Sequence, residues 1–198
     1  MIFGLGKKKK DRHVVATALV AVDGDAFTPL LTTTSRAASA IVKSDGDFDV
    51  AAEKLAEVAR ALLDHEASWS AAALGGDVFD DEGDAAAQVS EVWADLSSRY
   101  RSSGDGDGDD AMPRAAGDDT SRERRCVVML QASYIGERED IERELHDRLD
   151  LARALRGMVA LGSSDALTSV HLHIAPAHPD DRLTDEQLLA LFPELNSI

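Results

Sequence analysis

The chain has 198 residues, 44% of them apolar, with a formal net charge of −16 and a pI near 4.6. That length suits one domain or two small ones, and the apolar share is close to the globular norm of ~45–50%, enough for a core. The negative surface excludes nucleic acid as a partner, since that binding neutralises phosphates with Lys and Arg, and it opposes docking of the body of the chain on anionic lipid.

The chain opens with Met-Ile-Phe-Gly-Leu-Gly followed by Lys7, Lys8, Lys9 and Lys10. Residues 1–11 read as a flexible basic arm. A weak peripheral membrane contact through Phe3 and the four lysines is the sharper alternative. Residues 14–22 are too short an apolar region for a signal peptide, follow Asp11, Arg12 and His13, and precede no clean small-residue cleavage site. No run approaches the ~18 apolar residues of a membrane span.

Residues 13–22, rich in Val and Ala and ended by Asp23-Gly24-Asp25, predict a buried strand. Over 29–42 the positions Leu30, Thr34, Ala37, Ala38, Ile41 and Val42 follow helical spacing, with Pro29 in the first turn. After a loop at 44–47, Asp49 is placed to cap a helix over 50–64 whose stripe is Ala51, Leu55, Val58, Ala59, Leu62 and Leu63. Residues 75–83 read as a polar turn region. A further helix over 84–99 has Ala86, Val89, Trp93 and Leu96 on one side. Residues 12–101 thus form a mostly helical region.

Residues 102–121 are an acidic Gly/Asp-rich linker, too polar to offset the entropy of ordering. Residues 122–198 read as a β-α-β-α unit. Its first strand covers 125–135. Ile141, Leu145, Leu149 and Ala152 predict a helix from 139 to 156, which Gly162 can close. Its second strand covers 167–175 and is broken by Pro176. Thr184 and Gln187 form a capping box for the last helix, ended before Pro193. Strands joined by a helix are usually parallel. The fold class is therefore α+β, a helical N-terminal and middle region packed with a small sheet that includes the C-terminal unit.

Chemistry-bearing patterns are few. His171 and His173 fall on one face of the second strand, and Asp181 follows with His178 and Asp180. Two imidazoles and a carboxylate could ligate zinc or another divalent metal. The plainer reading is a solvent-facing strand side. The Asp-rich runs at 45–49 and 105–109 lack the glycine and glutamate of a calcium loop. No P-loop follows Gly4-Leu5-Gly6, and no Gly-x-Ser-x-Gly elbow occurs. Cys126 lies alone inside an apolar run and reads as a small buried hydrophobe in a reducing, cytoplasmic setting. No catalytic residue and no cofactor is predicted.

Several segments carry a likeness. Val127-Val128-Met129-Leu130, Asp150-Leu151 with Ala154-Leu155, Leu167 with residues 170–176, and the ending Leu183-Thr184-Asp185-Glu186-Gln187-Leu188-Leu189 with Phe192-Pro193-Glu194-Leu195 resemble DUF1517. This is a family of uncharacterised cyanobacterial, bacterial and chloroplast proteins. Leu62-Leu63-Asp64-His65 and Trp69 extend the likeness upstream. His171 and His173 stand where the family has an acid and an apolar residue, and Ile174 where it has tryptophan. The resemblance implies an α+β module, often membrane-associated, with an accessory or regulatory role and no catalytic residues to carry over. The leading expectation is a non-enzymatic accessory or interaction protein that binds a protein partner or itself. The alternative is a divalent-metal-binding protein or metal-dependent enzyme using His171, His173 and Asp181.

Overall fold

The computed structural model of the protein describes residues 11–99, 124–181 and 183–198. The linker at 102–121, and Phe3 with Lys7, Lys8, Lys9 and Lys10, lie outside them. The described elements are β1 (His13–Asp23), α1 (Phe27–Lys43), α2 (Phe48–Asp64), β2 (Trp69–Phe79), α3 (Glu82–Ser98), β3 (Arg125–Ile135), α4 (Arg148–Leu161), β4 (Leu167–Ala175), α5 (Asp185–Leu191) and β5 (Asn196–Ser197). The strands form one sheet in the order β4-β3-β1-β2-β5, antiparallel throughout. The class is α+β.

β1 is apolar at nearly every position, which suits a central strand covered on both faces. One face carries Val14, Val20 and Val22 with Leu130 and Tyr134 of β3 and Leu172 of β4, and it packs against α1, α2 and α4. The other carries Leu19, Val127, Met129 and Ala175 and meets Leu96 of α3 and Leu188 and Phe192 near α5. The sheet is thus the middle of three layers.

Local signals fix the helix ends. Asp47, rather than Asp49, caps α2 by accepting from the backbone N–H groups of Asp49 and Val50. Asp81 caps α3 in the same way. Thr184 and Gln187 make the expected capping box on α5. Arg125 holds α5 to the sheet end, donating to both Asp23 and Asp185.

Three expectations are corrected. Residues 75–79 belong to β2, not to a turn, and pair with β1 from His13↔Phe79 to Thr17↔Gly75. The helix expected from 139 begins only at Arg148, where Asp147 caps it by accepting from Asp150 N at 2.9 Å. Glu142 is tied elsewhere, accepting from the Tyr134 hydroxyl at 2.9 Å and from Arg138 N at 2.6 Å. β3 and β4 are antiparallel neighbours, not parallel ones. The reason lies in residues 136–147, which run the length of the sheet before α4 starts. Ile135 pairs with His13 at one end, whereas Arg148 donates to Trp69 O at the other, 2.6 Å away. α4 then returns the chain to its starting end, where Leu167 pairs with Tyr134.

Candidate functional site

β4 is a sheet edge. Its inner side pairs with β3 from Val127↔Ala175 to Tyr134↔Leu167, and among the described residues no strand pairs with its outer side. An edge strand presents a row of backbone N–H and C=O groups, and proteins usually blunt such edges with charge, proline or a cover. β4 has no proline and no Lys, Arg, Asp or Glu; Pro176, joined to Ala175 by a cis peptide, comes just after it.

The edge sits at the bottom of a groove of about 420 Å³. Residues 170–173 form its floor, residues 38, 39 and 41–43 of α1 one wall, and Trp93 of α3 the other. The α1 wall is there because α1 packs on the core face of β4 and its C-terminal turn reaches the strand's edge. Val42, whose spacing pointed to the core, is 81% exposed at this wall. Trp93 is there because the buried stripe of α3 runs through Ala85, Val89 and Leu96, leaving the indole on the β4 side. Ala86, expected in that stripe, is exposed.

His171 and His173 share a strand face as expected, but that face is covered rather than open to solvent. The Trp93 ring lies 4.9 Å from the His171 ring, tilted by 32°, and 5.9 Å from the His173 ring, edge-on at 89°. Burial pushes both imidazoles below their usual range. Burial therefore favours the neutral form of both rings in the fold.

That has a consequence for stability. Below the free imidazole value of ~6.5, the unfolded chain takes up protons that the folded chain refuses, so stability falls with pH until the depressed folded values are reached. The melting temperature is expected to drop between pH 7 and pH 5 more steeply than in a H171N/H173N variant. Parallel slopes would show that the two rings titrate alike in both states.

Further in, a polar row runs across the sheet beneath α3, in the register Gly75–Thr17–Gln131–His171. Gln131 is 1% exposed, and among the described residues neither atom of its carboxamide has a hydrogen-bond partner. Sequence reasoning passed over it, although a glutamine inside the run Val127-Val128-Met129-Leu130-Gln131-Ala132 was a signal. Thr17 lines a second, smaller cleft of about 270 Å³ on the other flank of α3, between β2 and the helix.

Among the described residues no group of three His, Cys, Asp or Glu side chains is placed to hold a metal ion. Asp181 is buried at 4% exposure and is not brought to the histidine pair as a third ligand. Cys126 is fully buried, and desolvation pushes its thiol up to about 12, as suits an inert core residue. No described helix is long and apolar enough to cross a membrane.

Residues 15–198 match the family model described as "Protein of unknown function (DUF1517)". No curated protein and no solved structure matches the chain.

Proposed function

The chain belongs to the DUF1517 family, and we propose that it acts there as a non-enzymatic interaction module that receives an extended segment of a protein partner along the outer edge of β4. The observation that carries this reading is the edge itself: nine residues without a formal charge or proline, opening into a groove with an apolar helix wall and an aromatic one. Strand addition uses such an edge directly. Main-chain hydrogen bonds supply affinity, and the groove walls select alternate side chains.

The test is affinity purification with mass spectrometry on the whole chain beside its Val42→Asp variant. Val42 is mostly exposed, so the substitution places a charge in the groove while removing little packing. A partner held by the unaltered chain and lost from a variant of equal melting temperature is the expected result. Identical captures from both chains would remove the groove from the function. The metal-binding alternative through His171, His173 and Asp181 has no assembled three-ligand group behind it among the described residues. Stoichiometric zinc in untagged protein, lost on His173→Ala, would restore it.

A further inference from the structure

Charge is distributed unevenly along the β4 edge. Leu167, where the strand begins, lines an open depression of about 660 Å³ that also exposes Asp49, Glu53 and Asp165 together with Arg60, and Glu53 pairs with Lys54 at 2.8 Å. Phe48, 57% exposed, stands beside them. In the middle of the edge Ala38, Ile41, Val42 and Trp93 face His171 and His173, with Lys43 as the charged side chain among the described lining. Carboxylates therefore gather at the Leu167 end of the edge, away from Lys43 at its centre, on a chain whose net charge is −16.

We infer that the groove takes a partner segment with an apolar, strand-forming centre laid along residues 170–173 and a basic end lying beside Leu167. This rests on the strand-addition reading above and adds the chemistry of the occupant. The centre is fixed by the walls: alternate side chains of an added strand point to opposite faces, one set toward Ile41 and Val42, the other toward Trp93. The basic end is fixed by complementarity, because a basic flank meets Asp49, Glu53 and Asp165 beside Leu167, whereas an acidic flank is repelled there and by the chain as a whole. A second copy of this chain would bring the same carboxylates to the same edge, which argues against self-pairing as the use of the groove.

The probe is a labelled synthetic peptide of alternating Val and Thr with two lysines at each end, titrated with the full chain and followed by anisotropy. It is expected to bind, to weaken as salt is raised, and to weaken about tenfold in a D49N/E53Q/D165N variant, the size expected for charges at the edge of a contact. Lys43→Glu is expected to tighten binding. A peptide with proline at its centre is expected not to bind, since it cannot complete the ladder. If a glutamate-ended peptide binds equally well, or the triple variant changes nothing, the basic-ended occupant is wrong while strand addition stands. If the proline peptide binds as tightly as the parent, strand addition itself fails. A dimer by light scattering that the peptide dissociates would make a second copy the occupant and overturn the inference. A tenfold gain in affinity on deleting residues 1–10 would also overturn it, by making the chain's own first residues the occupant.

Discussion

Replacing Trp69 with alanine is expected to cost about 3–5 kcal/mol, the usual range for a buried Trp or Phe. That is a large part of the ~5–15 kcal/mol that holds a domain together. Trp69 is 1% exposed and opens β2, opposite Val22 of the central strand. Its indole Nε1 donates to the Leu62 carbonyl in the last turn of α2 at 3.1 Å, an oxygen that also accepts from His65 N at 3.0 Å. Its own carbonyl accepts from Arg148, the first residue of α4, at 2.6 Å. The same guanidinium reaches the Glu66 carbonyl at 2.9 Å and the Ile198 carbonyl at 3.3 Å. One ring therefore anchors the end of a helix and fills the core, beside a guanidinium that gathers three chain segments. Trp69→Phe separates the two contributions. It keeps most of the apolar burial and loses the donor, so about 1–1.5 kcal/mol should go with the hydrogen bond, plus a smaller packing loss. Urea unfolding of both variants measures the difference. A loss below 1 kcal/mol for the alanine variant would mean that Trp69 is not the anchor its contacts describe. That variant also leaves Trp93 as the only tryptophan of the two in the sequence, so its fluorescence would report the groove alone.

Features of the fold that depend on runs of residue type were legible in the sequence. β1 and β3 appeared as apolar runs because both faces of each are largely buried, β4 as an alternation because one of its faces is more deeply buried than the other, and α2 as a stripe because one of its faces is buried. The capping box at Thr184 and Gln187 was legible because it is a contact between near neighbours. β2 was not, because Leu74-Gly75-Gly76-Asp77 has little preference for a strand and is held in one by its pairing with β1. The late start of α4 was hidden for a different reason. Ile141 and Leu145 have helical spacing, yet the segment is irregular and Ile141 is buried from it at 3% exposure. Periodicity records which side chains seek the core and leaves open the backbone that delivers them.

The candidate site was legible only in half. His171 and His173 stood out as a pair, and their common face followed from the strand period. What covers that face did not follow, because Trp93 is ~80 residues away in the chain and nothing local says on which side of the sheet α3 lies. Val42 fell on the apolar side of its helix by spacing and still emerges at the groove, since the stripe of α1 outlasts the sheet it covers. The interaction reading rests on such places, where apolar pattern and burial part company.

Gly162 separates a sequence reading from its structural cause, and its replacement should be the second most costly change. Its place after α4 suggested a glycine that closes a helix through left-handed backbone. Gly162 is indeed the C-cap, but at φ −60° and ψ −9°, a conformation open to any residue. What requires glycine there is space. A Cβ would stand 2.6 Å from the Ala52 carbonyl oxygen and 3.0 Å from the Ala56 Cβ, both on α2. The oxygen is backbone inside a helix and cannot swing aside, so alanine must push α2 and α4 apart at about 1–3 kcal/mol, the usual range for overpacking. The two causes predict different side-chain series. A left-handed cap tolerates asparagine better than alanine, whereas a steric limit makes asparagine the worse of the two because it is larger. Gly162→Asn is therefore expected to lower the melting temperature more than Gly162→Ala. Gly75→Ala, where an added Cβ meets nothing within 4 Å, should leave it almost unchanged. If Gly162→Asn proves milder than Gly162→Ala, the close approach of α2 is not what holds this position to glycine.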